Sequence, residues 1–198
     1  MTRSATRKRE TKETTIELAL DVDGTGTTEV ETGLPFFDHM LSQIGRHASF
    51  DLVLKCRGDL EVDSHHTVED VGIALGEALR EALGTKAGVR RFASVMVPLD
   101  EALVEVALDL SGRPFVVYEV DFAFDDRNPL GSPGFDPQMA EEFWRAFAFG
   151  AAITLHIRTR SGKNTHHIIE ASFKGVARAL RDAVRVEGDA VPSTKGTL

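Results

Sequence analysis

Seven histidines are present, and four of them stand in pairs. His65-His66-Thr67-Val68-Glu69 and His166-His167-Ile168-Ile169-Glu170 are two copies of one pattern, HHxxE, 101 positions apart. On a helix, residues four apart share a face, so His65 and Glu69 converge on one point, as do His166 and Glu170. Ser64 and Thr165 directly precede the pairs and are good N-cap residues, which puts the pairs in a first helical turn. The second histidine of each pair is rotated by about 100°, so His66 and His167 must serve a different point from their neighbours. Two such helices predict two metal sites that exchange ligands. One would draw on His65, Glu69 and His167, the other on His166, Glu170 and His66. Imidazole with carboxylate suits Mn, Fe, Zn or Ni. Six residues at duplicated spacing outweigh the reading of solvated helix-start histidines. Structural zinc usually takes cysteine, and the single cysteine, Cys56, reads as a strand-packing residue.

Each predicted site has room for a further ligand. His39, in Asp38-His39, precedes the first HHxxE segment, and the repeat aligns it with Glu142 in Glu141-Glu142-Phe143-Trp144. His156, on a predicted strand, competes with Glu142. His47 either contacts a substrate or caps its helix, and Asp38 either orients His39 or caps its own. Groups able to hold an anion also recur: Arg91, Arg113, and Ser193 with Lys195 near the C-terminus. Arginine forks, a lysine and small hydroxyls are what hold phosphate, provided the fold brings them together near the metals.

The elements that must position these groups also come twice. Ile16, Leu18, Leu20 and Val22 alternate with polar residues, as do Val104, Val106, Leu108 and Leu110. Period two marks a strand with one buried face. Turns follow at Gly24-Thr25-Gly26 and Ser111-Gly112-Arg113-Pro114, and a second strand is clearest over 114–122. Then come a helix (Phe36–Ile44; Met139–Phe149), a strand (Phe50–Cys56; Ile153–Thr159) and the HHxxE helix. Phe143, Trp144 and Phe147 read as core. The segment 125–137 holds three prolines and two glycines and reads as a surface loop. The chain is thus an α/β protein, an α+β sandwich built from two similar βαβα-type halves, 1–88 and 89–198. Each half is a sheet with helices on one face, and the two form one catalytic unit.

Composition narrows the function. The net charge is −8, with 42% hydrophobic residues, so general nucleic-acid binding is not expected. The basic cluster Arg3, Arg7, Lys8, Arg9 and Lys12 reads as a solvated terminal tail. No apolar run is long enough to span a membrane, and no apolar stretch of a secretory signal follows the basic N-terminus. With one cysteine, a reducing, cytoplasmic setting is expected.

Three segments together resemble the imidazoleglycerol-phosphate dehydratases of histidine biosynthesis: Leu34-Pro35-Phe36-Phe37-Asp38-His39-Met40-Leu41, Asp63-Ser64-His65-His66-Thr67-Val68-Glu69-Asp70, and Asn164-Thr165-His166-His167-Ile168-Ile169-Glu170-Ala171. The resemblance runs from Thr11 to Gly196. It implies a metal-dependent lyase that converts imidazole glycerol phosphate to imidazole acetol phosphate and water, with two Mn²⁺ per active site. It implies one ion on His39, His66, His166 and Glu170. The other would take His65, Glu69, His167 and a fourth group. Many members carry a histidine at that fourth place where this chain has Glu142, so either its carboxylate or a water would fill it. The resemblance further implies phosphate contacts at Arg91, Arg113, Ser193 and Lys195, with Gln43 nearby, and His47 is counted with this substrate set. Glu13 is implied as a substrate contact and acid–base, with Glu170 a second, poorer proton carrier. A homo-24-mer with active sites at subunit contacts, and no nucleic-acid or membrane partner, is implied as well. The runner-up is a binuclear metallohydrolase of a small phosphate ester, and a metal-storage shell ranks below it.

Overall fold

Ile16, Leu18 and Leu20 turn one face of a strand inward and leave at most 4% of their surface exposed, while the residues between them face out. That strand is β2 (Thr14–Asp21), preceded by β1 (Ser4–Glu10) and followed by β3 (Thr28–Glu31), α1 (Pro35–Ala48), β4 (Asp51–Gly58) and α2 (His65–Leu83). The second half repeats the order as β5 (Phe92–Leu99), β6 (Ala102–Asp109), β7 (Phe115–Glu119), α3 (Met139–Ala151), β8 (Thr154–Ser161) and α4 (Thr165–Ala183). These bounds come from a computed structural model that describes residues 3–122 and 128–198.

The two sheets have the same strand order, β1-β2-β4-β3 and β5-β6-β8-β7. Pairing is antiparallel except for β3 with β4 and β7 with β8. Those parallel pairs need a crossover, and α1 and α3 supply it. Helices α1 and α2 cover one face of the first sheet, and α3 and α4 cover one face of the second. The helix layers then meet, α1 against α4 and α2 against α3. The result is a four-layer sandwich, sheet–helices–helices–sheet. Its centre is aromatic: Phe143 stacks on Phe173 at 5.2 Å, Trp144 lies 4.6 Å from Phe173, and Phe37 meets Phe143 edge-on at 5.4 Å. Cys56 is buried on β4, as its strand pattern predicts.

Glycines set the approach of α2 to α3. A Cβ on Gly76 would collide with the carbonyl oxygen of Phe147 and lie 2.8 Å from the Ala151 nitrogen. Alanine is the better helix former by about 1 kcal/mol, but here the partner is rigid backbone and the collision wins. Gly76→Ala is expected to lower stability by about 1–3 kcal/mol, read as a lower denaturant midpoint. A higher midpoint would mean that helix propensity dominates.

Three expectations need correction. The basic N-terminal cluster is not a solvated tail, because Ser4–Glu10 is an edge strand paired along its length with β2. Its inward positions are Ala5, Arg7 and Arg9, and the arginines find carboxylates on α2: Arg7 with Glu81 at 2.6 Å and Arg9 with Asp70 at 2.7 Å. Each half therefore begins one strand earlier than expected. In β5 the outward residues Phe92 and Met96 are apolar too, each 54% exposed, and they hide the alternation. Ser64 makes no side-chain cap. The His65 N–H donates to Asp63 Oδ1 at 2.7 Å, and α4 is capped by Asn164, with Thr165 already inside the helix. Of the segment 125–137, residues 125–127 lie outside the described residues. The remainder is not wholly surface: Leu130 and Phe135 exchange backbone hydrogen bonds, and fully buried Phe135 packs 5.3 Å from Phe36 and 5.7 Å from Phe37.

Candidate active site

α1 and α4 lie side by side, and the second turn of α1 meets the first two turns of α4. His166 Nε2 is 2.9 Å from Glu170 Oε2, the contact that four-residue spacing on α4 demands. His39 Nε2 on α1 reaches the same oxygen at 3.3 Å. The other carboxylate oxygen pairs with Lys174 Nζ at 2.6 Å. Burial raises the Glu170 pKa, but the Lys174 ion pair and the histidine contacts outweigh it and hold the carboxyl at about 2. The ligand atoms of His39, His166 and Glu170 lie within 4.8 Å of one another, the only such group among the described residues. Two imidazole nitrogens and one carboxylate oxygen are a donor set that fits a borderline divalent cation and leaves further positions open. Phe36 meets the His166 ring edge-on at 5.1 Å and limits its movement.

On α1 a stripe of side chains four apart supports His39. Gln43 Nε2 is 3.3 Å from His39 Nδ1, and Gln43 Oε1 is 3.2 Å from His47 Nε2. His47 therefore caps nothing; it is the far end of this stripe. Burial, then the charge of Lys174, pushes its pKa down. Asp38 does not touch His39 either. It accepts from the Thr32 N–H at 2.8 Å and hydroxyl at 2.5 Å, closing the turn between β3 and α1.

The α2 pair is more open. His65 Nε2 lies 4.0 Å from Glu69 Oε2. His66 faces elsewhere, as the 100° rotation requires: its Nδ1 is 2.9 Å from Asp59 and its Nε2 is 3.7 Å from Glu13. The Asp59 hydrogen bond raises the His66 pKa. In the second half His167 likewise meets a carboxylate through its ring, with Nδ1 2.8 Å from Glu101. Glu142 occupies the place on α3 that His39 occupies on α1, counted back from the left-handed caps Ala152 and Ser49, but it does not join the cluster around Glu170. Within one chain His156 does not lie with these groups. Its neighbours Leu155 and Ile157 are fully buried under the helices, so His156 lies on the outer face of the second sheet beside Ala107, Glu105 and Arg158.

The hairpin that carries Glu13 is tied down by Asp70, which is 6% exposed. Asp70 accepts from Arg9 Nε at 3.0 Å and Nη2 at 2.7 Å and from the Thr14 hydroxyl, while Thr11 Oγ accepts from the Glu13 and Thr14 N–H groups at 3.1 and 3.0 Å. Asp70 is buried while its partner Arg9 keeps 35% of its side chain exposed, so losing the carboxylate strands chiefly the buried Thr14 hydroxyl. Asp70→Ala is therefore expected to cost about 1–3 kcal/mol, seen as a lower unfolding midpoint, and to loosen Glu13. An unchanged midpoint would show that the network carries no stability.

The anion-holding groups form their own region. Arg91 grips Asp109 with Nε at 2.7 Å and Nη2 at 3.1 Å, and Nη1 donates to the Pro192 carbonyl at 2.7 Å. Three of its five donors are thus engaged, fastening the segment that bears Ser193 and Lys195. Arg113 lies on the adjacent turn, where its Nη1 donates to Ser111 O at 3.1 Å and Gly112 packs against Leu198. The Arg91 N–H meets the Ala183 carbonyl at the C-terminal end of α4. Ala183 is about 20 Å along that helix from Glu170, at about 1.5 Å per residue. Within one chain the anion groups and the His39–His166–Glu170 cluster therefore lie at opposite ends of α4. The sequence reading assigns no role to Lys174, Asp59, Asp70 or Glu101. Four-residue spacing from Glu170 could have pointed to Lys174, and the repeat to Glu101.

Comparison with known proteins places the molecule. Residues 32–180 match the family model described as imidazoleglycerol-phosphate dehydratase. The chain is 56% identical to the dehydratase of Acidothermus cellulolyticus, over 99% of this chain and 93% of that one, and 53% identical to that of Methanopyrus kandleri, over 99% and 96%. A crystal structure of the Pyrococcus furiosus enzyme in complex with (S)-C348 superimposes with a TM-score of 0.83 at 38% identity, covering 97% of this chain and 100% of that one. The Staphylococcus aureus dehydratase gives 0.81 at 32% identity, covering 92% and 99%. These matches define the class: an enzyme, a carbon–oxygen lyase of amino-acid biosynthesis. The chain belongs to the imidazoleglycerol-phosphate dehydratase family, whose place is in histidine biosynthesis. The hydrolase alternative finds no support among these relatives.

Proposed function

We propose that the chain dehydrates imidazole glycerol phosphate to imidazole acetol phosphate, with two Mn²⁺ per active site. The observation that carries the metal reading is the convergence of His39, His166 and Glu170, with Lys174 holding the spare carboxylate oxygen. His66 would complete that ion's ligands. His65, Glu69 and His167, with Glu142 or a water, would hold the other. The bound metal would supply Lewis acidity, which would stabilise negative charge developing on the substrate by several kcal/mol at the transition state. The chain's own groups do the rest. Glu13, beside His66, takes the proton from the second carbon out from the ring, the one whose oxygen is kept. The hydroxyl on the carbon next to the ring leaves as water, the proton it takes up balancing the one that Glu13 removes, and the enol left behind becomes the ketone on the second carbon. Glu170, committed to its histidines and Lys174, is the poorer base.

Arg91, Arg113, Ser193 and Lys195 anchor the phosphate, with Gln43 and His47 lining the approach, so that binding energy orients the reacting carbons. The separation of about 20 Å along α4 between Glu170 and the Arg91 end supports a shared site, in which one chain supplies ligands and another the phosphate groups. A homo-24-mer with sites at subunit contacts meets that need. Both halves, 1–88 and 89–198, then act as one catalytic unit. No helix among the described residues is long and apolar enough to cross a membrane, and a cytoplasmic setting, without nucleic-acid or membrane partners, suits the reading. The test is incubation with imidazole glycerol phosphate while imidazole acetol phosphate and inorganic phosphate are both followed. Product without phosphate release is expected. Phosphate release without the acetol product would overturn the reading in favour of hydrolysis.

A further inference from the structure

Which nitrogen of an imidazole is free to bind is decided by the hydrogen bond that the other one makes. His66 and His167 each meet a carboxylate through Nδ1, but the two carboxylates are held differently. Asp59 presents both oxygens to His66 Nδ1, at 3.2 and 2.9 Å. Glu101 presents only Oε2 to His167 Nδ1, at 2.8 Å, because its Oε1 accepts from the backbone N–H groups of Lys163 and Asn164 at 3.0 and 2.8 Å. Glu101 is thus locked in one orientation by the loop that leads into α4. The repeat adds a contrast. Glu13 directly precedes β2 and Glu101 directly precedes β6, so the two glutamates are counterparts. Glu13 faces Nε2 of the second histidine in its half, at 3.7 Å, while Glu101 faces Nδ1.

We infer that Glu101 is a positioning residue that keeps the proton of His167 on Nδ1 and so leaves Nε2 free to ligate. The duplicated glutamate has divided into two tasks: Glu13 stays available to move a proton, and Glu101 sets the tautomer of a ligand. The inference rests on the metal reading above and extends it to a residue outside the ligand set.

The asymmetry between Glu101 and Asp59 gives the test. In Glu101→Gln the amide oxygen must stay with the two backbone N–H groups, since an NH₂ there would face two donors. The NH₂ is then forced against Nδ1, which must accept, and the His167 proton moves to Nε2. In Asp59→Asn nothing fixes the amide, and its oxygen can turn to Nδ1. Mn²⁺ titration of the metal-stripped full chain, read as free Mn²⁺ by electron paramagnetic resonance, should show one of the two ions weakened about 10–100-fold in Glu101→Gln. Asp59→Asn should stay close to wild type. Unchanged binding in Glu101→Gln, or equal weakening in both variants, would overturn the inference while leaving the metal reading intact. A wild-type chain that binds no Mn²⁺ would sink the metal reading first, and this inference with it. Nitrogen-15 shifts of the His167 ring in the metal-free wild type give a second reading that needs no variant to fold. The Nδ1–H tautomer is expected, and the Nε2–H tautomer would overturn the proposal.

Discussion

Glu170→Gln is expected to empty one metal position and to cut turnover by about a hundredfold or more, taking the lost Lewis-acid stabilisation as about 3 kcal/mol. Glu170 is the meeting point of the site: one oxygen touches His166 at 2.9 Å and His39 at 3.3 Å, the other pairs with Lys174 at 2.6 Å. An amide cannot replace it in either orientation. With NH₂ toward Lys174, two donors face each other and the ammonium, 20% exposed, loses its counter-charge. With NH₂ toward the histidines, a donor stands where a ligand oxygen is needed. The check is metal content per chain measured beside kcat. A variant with wild-type metal content and wild-type turnover would remove Glu170 from the account.

Glu13→Gln should behave in the opposite way. Glu13 touches the proposed ligands only at a distance, 3.7 Å from His66 Nε2, and it is exposed on a hairpin whose shape is set by Thr11 and Asp70. The amide keeps the size and polarity of the side chain but can no longer take a proton. A loss of about 10²–10⁴ in turnover is expected, with metal content and assembly unchanged. Near-normal turnover would exclude Glu13 as the base. Loss of metal would make it a ligand or a support instead. The pair of variants thus separates metal binding from proton transfer.

The sequence made the helices and inner strands legible because their burial is apolar and periodic. Ile16, Leu18 and Leu20 alternate, and the HHxxE segments open helices whose inner faces are entirely covered. The outer strand β1 was illegible because its inward positions carry Arg7 and Arg9, whose partners Glu81 and Asp70 lie some 60 to 75 residues away on α2. The four-residue contacts within the site, His65 with Glu69 and His166 with Glu170, follow from helical spacing alone. The approach of His39 to Glu170 does not. It depends on α1 packing against α4, a long-range choice that no local pattern encodes. The same holds for Asp59 on His66 and Glu101 on His167, which reach their histidines from a strand end and a hairpin turn. The separation of Arg91 from Glu170 along α4 is equally hidden, since residue type alone carries no distance between them.

The most direct test of the central claim is product formation by metal-stripped protein, before and after Mn²⁺ is added. The account predicts no imidazole acetol phosphate from the stripped protein and its appearance once Mn²⁺ is restored. Full turnover by protein shown to be free of metal would contradict it, and the convergence of His39, His166 and Glu170 would then need another explanation.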